Sequence, residues 1–112
     1  MNESPVYSRT YDLLLWLLPQ ATKFPRLHRF GLGERLVRRA LDFQEALIAA
    51  GQRQGAERRA LLLQADDLLA QVRFLLRLSK DLELISLSQY EHAARLQTEV
   101  GRLLGAWLKK TV

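Results

Sequence analysis

With 112 residues, the chain is long enough for one domain with a buried core and too short for two. Hydrophobic residues make up 48% and charged residues 26%, a balance that excludes a disordered chain, and the absence of cysteine excludes a disulfide framework or a cysteine-based metal site. The 17 Lys and Arg against 12 Asp and Glu leave a formal charge of +5, which favours a polyanionic partner or surface without establishing one.

The opening Met1-Asn2-Glu3-Ser4-Pro5 carries no basic region, so no secretory signal is expected there. The longest apolar run, Leu13 to Leu18, is far too short to span a bilayer. A cytoplasmic protein with no membrane segment is expected, and the lack of cysteine fits a reducing compartment.

Ser4-Pro5 suits a cap and first-turn proline for a first helix. Tyr7, Tyr11, Leu14 and Leu18 recur at helical spacing as its core stripe, widened by Leu15 and Leu17. Trp16 falls on the opposite side, beside Arg9 and Asp12, where so large an apolar ring suits a subunit contact. Pro19 is expected to kink or end this helix.

The stretch Lys23-Phe24-Pro25-Arg26-Leu27-His28-Arg29-Phe30 reads as a hinge, because Pro25 fixes its own φ and bars Phe24 from helical geometry. Phe24 and Phe30 are expected to be buried anchors, with Arg26 and Arg29 reaching outward. A second helix follows from about Pro25 to Ala50, with Phe30, Gly33, Val37, Ala40, Leu41, Leu47 and Ile48 on one face. Gly33 either delays its start or permits a close helix contact. Arg35, Arg38, Arg39 and Asp42 occupy the far face. Gly51 to Gly55 reads as a loop, with Gly51 as the helix stop.

A third helix is expected from about Ala56 to Lys80 or slightly beyond. Leu61, Ala65, Leu68, Val72, Leu75, Leu76 and Leu82 form its main apolar face. A second stripe, Leu63, Phe74, Leu78 and Ile85, projects on nearly the opposite side and calls for another packing partner. Arg73, Arg77 and Lys80 form a basic ridge between the two. A fourth helix begins near Leu87, capped by Ser86 or Ser88, and runs almost to the C-terminus. Its stripes, Tyr90, Ala94, Gly101, Leu104 and Leu108 beside Leu96, Val100, Leu103 and Trp107, make a wide apolar arc, and Gly101 and Gly105 would allow close approach of another helix.

Four helical patterns with short connections and no strand signal predict an all-α fold, an antiparallel four-helix bundle. The surplus apolar stripes predict that it is one subunit of an oligomer, a cyclic one. Trp16, Leu63, Phe74, Leu78 and Ile85 are the candidate subunit contacts. Arg26, Arg29, Arg35, Arg38, Arg39, Arg73, Arg77 and Lys80, clustered on two helices, are the candidate phosphate contacts.

Catalytic chemistry is hard to place. His28 and His92 are far apart in sequence and lack metal-spaced partners, no Glu-x-x-His pair is present, and Asp66 and Asp67 point about 100° apart on a helix. No glycine-rich phosphate loop occurs. A non-enzyme with no catalytic residues, cofactor or metal is expected.

The ordered set Tyr11-Asp12-Leu13-Leu14-Leu15-Trp16-Leu17-Leu18-Pro19, Lys23-Phe24-Pro25-Arg26, Arg29-Phe30-x-Leu32-Gly33-x-Arg35, Leu75-Leu76-Arg77-Leu78-x-x-Asp81-Leu82, Ser86-x-x-Gln89-Tyr90-Glu91-His92 and Val100-Gly101-Arg102-x-Leu104-Gly105-x-Trp107-Leu108-Lys109 resembles the accessory variability determinant family of diversity-generating retroelements. The likeness runs from about Tyr7 to Lys109, with Ala106 standing where a second glycine would precede the tryptophan. The chain is more distantly similar to four-helix proteins encoded in intervening sequences of bacterial 23S ribosomal RNA genes. The resemblance implies a pentameric, barrel-like ring of four-helix bundles that binds RNA or DNA through a basic surface. It also implies association with a reverse transcriptase during mutagenic copying of a template RNA. The alternative is a structural or protein-interaction oligomer whose basic charge serves solubility alone. A membrane-surface role is weaker, because the basic residues do not share one amphipathic helix with an exposed apolar face.

Overall fold

The structure is a computed structural model describing residues 4–111. All of its regular elements among the described residues are helical: α1 (Ser4–Thr22), the single turn α2 (Arg26–His28), a π-helical turn (Arg29–Gly33), α3 (Glu34–Gly51), α4 (Gly55–Asp81) and α5 (Leu87–Lys110). The four long helices pack as a square in which α1 touches α3 and α5, and α4 touches α3 and α5, so α1 and α4 stand diagonally opposed. The residues before Ser4, and the Ser4 side chain expected to cap α1, lie outside the described set.

The core face of α1 is Val6, Thr10, Leu13, Leu17 and Ala21, all buried. This is one residue out of phase with the expected stripe: Tyr11 and Leu15 are exposed, and Tyr7, Leu14 and Leu18 are half-buried. A continuous apolar run from Leu13 to Leu18 carries no phase of its own, so the packing of the neighbours chose it. Nor does Pro19 end the helix, which continues to Thr22. Proline removes one donor, and here it sits on the exposed side, where water can satisfy the Leu15 carbonyl; the Thr22 hydroxyl donates to the Pro19 carbonyl at 2.8 Å.

The hinge divides the two expected anchors. Phe24 is 1% exposed, packed with Leu13, Leu17, Leu36 and Leu76, whereas Phe30 is 67% exposed. The reason is the π turn. Its wide i→i+5 spacing, closed by the Glu34 amide donating to the Arg29 carbonyl, swings Phe30 further round than α-helical geometry would. Gly33 takes the inward place: a Cβ there would stand 3.3 Å from the Phe24 ring and 3.4 Å from the Ala21 carbonyl oxygen. Both alternatives for Gly33 hold: α3 begins after it, at Glu34, and it makes a close approach to the Phe24 ring and the end of α1. Beyond it, Leu36, Ala40, Phe43, Ala46, Leu47 and Ala50 form the buried face of α3.

The expected end of α3 is observed at Gly51, followed by Gly55 at φ 60°. Tyr7 donates to the Leu47 carbonyl at 2.8 Å, and its hydroxyl occupies the space a side chain at Gly51 would need, tying the start of α1 to the end of α3. Leu62, Ala65, Leu69, Val72, Leu75 and Leu76 make the buried face of α4. Here the helix stops at Asp81, so Ile85 lies beyond it and not on the exposed α4 stripe. Glu83 takes φ 63°, its amide donates to the Lys80 carbonyl at 2.9 Å, and the Leu84 amide donates to the Ser79 carbonyl at 2.8 Å. This six-residue C-cap reverses the chain and sends Ile85 into the core, 5% exposed, while Leu82 is left outside. Ile85 thus belongs to the subunit's own core and is not an oligomer contact.

Ser86 opens α5 with a capping box: its hydroxyl accepts from the Gln89 backbone amide at 3.0 Å, and the Gln89 side-chain Oε1 accepts from the Ser86 backbone amide at 2.8 Å. Ala93, Gln97, Val100, Leu104 and Trp107 face inward. The glycine pair does not bring a helix close. The space beside Gly101 is filled by the Arg73 guanidinium, and nothing lies near Gly105.

Phe24→Ala is expected to lower unfolding stability by about 3–5 kcal/mol, and Phe30→Ala to change it by no more than about 0.5 kcal/mol. Chemical denaturation measures both, and equal losses would put Phe30 in the core. Glu83→Gly relieves a left-handed residue that carries a side chain and is expected to raise stability by about 1 kcal/mol, read in the same experiment.

Candidate nucleic-acid interface

Because Leu36 and Ala40 point inward, the i, i+3, i+4 set Arg35, Arg38 and Arg39 must point away from the core. Phe30, Gly31 and Glu34 complete a shallow notch with these three arginines. Arg39 is held in place by its Nε donating to the Gln71 side-chain oxygen on α4 at 2.6 Å, which leaves its terminal nitrogens available. Arg35 and Arg39 also border a second depression, with Gln71 and Phe74, on the α4 side. Arg35 and Arg38 form no ion pair with any described residue. Arg29 is exposed with its Nε donating to the Phe24 carbonyl at 3.3 Å, and Arg26 is exposed on α2.

The remaining candidates lie elsewhere. Arg73 crosses Gly101 on the α5 side of α4. Arg77 and Lys80 share the Asp81 carboxylate at 3.9 and 3.3 Å, and the Lys80 ammonium sits 4.8 Å from the centre of the Tyr90 ring. Exposed pairs of this kind are weak, yet they partly neutralise the ridge. The eight basic residues therefore divide into a free group at the start of α3 and a partly paired group toward α5. Spacing along each helix gave their faces, but not that the two faces diverge across the bundle.

Other arginines are structural. Arg58 donates from Nε to the Ala50 carbonyl at 2.9 Å and lies 5.5 Å over the Trp107 ring, which also meets Tyr7 edge-on at 6.0 Å. Arg59 donates to the Thr111 carbonyl at 3.2 Å. Arg102 donates to Glu99 at 2.8 Å, and that hydrogen bond holds the Glu99 carboxyl below its ordinary range.

Two apolar surfaces remain uncovered. On α4, Leu63, Phe74 and Leu78 are exposed, Phe74 at 66%. Between α1 and α3 runs a groove walled by Tyr11, Leu14, Leu15, Leu18, Leu41 and Ile48. The expected core stripe of α1 thus lines a surface groove. Trp16 is half-buried, with the His92 ring 5.6 Å away and tilted 56° to it, so part of its area is covered within the subunit. The exposed Phe30 is the residue sequence reasoning missed; two glycines so close to a helix start were the available sign of irregular geometry. No described helix is long and apolar enough to cross a membrane.

The fold has a solved counterpart. It is similar over 98% of this chain, and 100% of the other, to the crystal structure of a protein of unknown function from the S23 ribosomal protein family of Bacteroides thetaiotaomicron, with a TM-score of 0.88 at 19% identity. Among curated proteins none matches. A family model described as bAvd-like matches residues 6–111, a span that takes in the α1 groove, the hinge, the arginine notch and all four long helices. That coverage, together with the helical architecture, places the chain in the bAvd-like family.

Proposed function

We propose that this protein is a non-catalytic accessory subunit of a diversity-generating retroelement, acting in the cytoplasm. It binds nucleic acid through the arginine surface at the start of α3 and associates with the element's reverse transcriptase during mutagenic copying. Family membership supports the setting, and one observation carries the binding surface: Arg35 and Arg38, beside an anchored Arg39, are basic side chains with no acidic partner among the described residues. A guanidinium offers phosphate a fork of two parallel donors, and neither Arg35 nor Arg38 has an ion pair to give up first. The polymerase supplies the chemistry; this chain positions RNA or cDNA for it.

The assembly reading rests on the two uncovered apolar surfaces. The α4 stripe and the α1–α3 groove lie on different faces, because α1 and α4 are diagonal. A contact joining unlike faces repeats head to tail and gives a ring, such as a pentamer, when its rotation closes, whereas a two-fold dimer would pair like with like. Around such a ring the α3 surfaces recur, and several weak phosphate contacts add by multivalency. The same surfaces favour the second reading, a structural or protein-interaction oligomer, in which the arginines serve solubility alone.

Replacing Arg35, Arg38 and Arg39 together with glutamate is expected to abolish RNA binding measured by fluorescence anisotropy. Charge neutralisation without reversal, with glutamine at the same three positions, should flatten the slope of log K against log salt by about 2 per chain engaged, since each single-strand phosphate contact contributes about 0.7. Unchanged affinity and slope in both variants would leave only the structural reading. Sedimentation equilibrium at micromolar concentration is expected to give a closed oligomer that Phe74→Glu with Leu78→Glu dissociates. A monomeric wild-type chain would remove the ring.

A further inference from the structure

We infer that the notch between Phe30 and the α3 arginines holds an unstacked base, so that the ligand of this surface is single-stranded nucleic acid and not duplex. The inference deepens the nucleic-acid reading above and rests on it. Three observations converge on the notch. The Phe30 ring is 67% exposed although the chain has an inward place one turn away, which the π turn gives to Gly33 instead. Irregular π turns inside helices occur frequently at functional sites, because they cost regular hydrogen bonding and re-aim a side chain. The ring that is re-aimed here shares one depression with Arg35, Arg38 and Arg39.

An aromatic face beside a row of guanidinium groups is the pairing that single strands require: the cations track the backbone while the ring stacks on a base. A duplex keeps its base faces covered by their neighbours, so Phe30 would gain nothing from it without first unstacking a step. Glu34 is the one carboxylate lining the notch. The same carboxylate can accept a hydrogen bond from an exocyclic amino group on a base lying against Phe30. Phe30 contributes nothing to the core, so its removal tests binding without unfolding the protein.

The experiment titrates the full chain against a single-stranded oligonucleotide carrying 2-aminopurine and against a duplex of the same length. The chain is wild type, Phe30→Ala, Phe30→Trp or the triple Arg→Glu variant. Wild type should prefer the single strand and quench the 2-aminopurine. Phe30→Ala should weaken single-strand binding about tenfold and lose the quench, with duplex affinity and oligomer mass unchanged, and Phe30→Trp should keep both. If Phe30→Ala binds and quenches as wild type while the triple variant does not bind, base stacking is wrong and the nucleic-acid reading stands. If Phe30→Ala weakens duplex and single strand equally, or alters the mass, Phe30 is an assembly contact and the inference falls. Wild type that binds neither form overturns both readings.

Discussion

The packing of the Phe24 ring against Gly33 is the contact on which the rest of the bundle depends. The ring closes the end of the core built by Leu13, Leu17, Leu36 and Leu76, and it does so across a sharp chain reversal. Pro25, at φ −55° and ψ 151°, sets the exit direction and leaves its carbonyl to accept from the His28 and Arg29 amides. With the Phe24 ring and the Ala21 carbonyl this close, a side chain in the following turn would make its neighbours give way, and the π geometry brings Gly33 there. That choice fixes the phase of α3 and turns Phe30 and the three arginines to the surface together.

The other ends of the bundle are fastened by polar groups. Tyr7 bonds the Leu47 carbonyl and lies against Gly51 and Trp107, while Arg58 satisfies the Ala50 carbonyl from the start of α4. The turn between α4 and α5 satisfies its helix ends through the Glu83 reversal and the Ser86–Gln89 box. Each such bond satisfies a backbone group at or near a helix end. The residues that do this include several arginines, so a count of basic side chains overstates the charge free to meet a polyanion.

Net charge alone is a poor guide to an interface here. Arg102, Arg77 and Lys80 have acidic partners, and Arg58, Arg59 and Arg73 lie along their own subunit. What sets the start of α3 apart is the lack of such partners beside an exposed ring. The apolar groove and the α4 stripe are likewise defined by what the subunit leaves uncovered; the groove shares no residue with the arginine notch, whereas Phe74 of the stripe borders a depression with Arg35 and Arg39.

The sequence by itself determined the four long helices, the limit at Gly51, a serine cap for the last helix at Ser86 or Ser88, the short connections, and the exposed positions Arg35, Arg38, Leu63, Phe74 and Leu78. These follow from local causes: helical period, glycine and serine caps, and the proline at the hinge. It also carried the family, through residues spread along nearly the whole chain. Only the tertiary structure decided which side of α1 is buried, since Leu13 to Leu18 is apolar all round and any phase would serve it until Leu36, Val72 and Ala93 were in place. Pro19 inside α1 could be tolerated only because it faces outward. Ile85 moved from an imagined helix stripe to the core because Glu83 reversed the chain two residues earlier. Phe30 and Phe24 are alike in sequence context, and a single wide turn between them put one in the core and the other in solvent. Such choices depend on contacts between residues far apart in the chain, which no local period encodes.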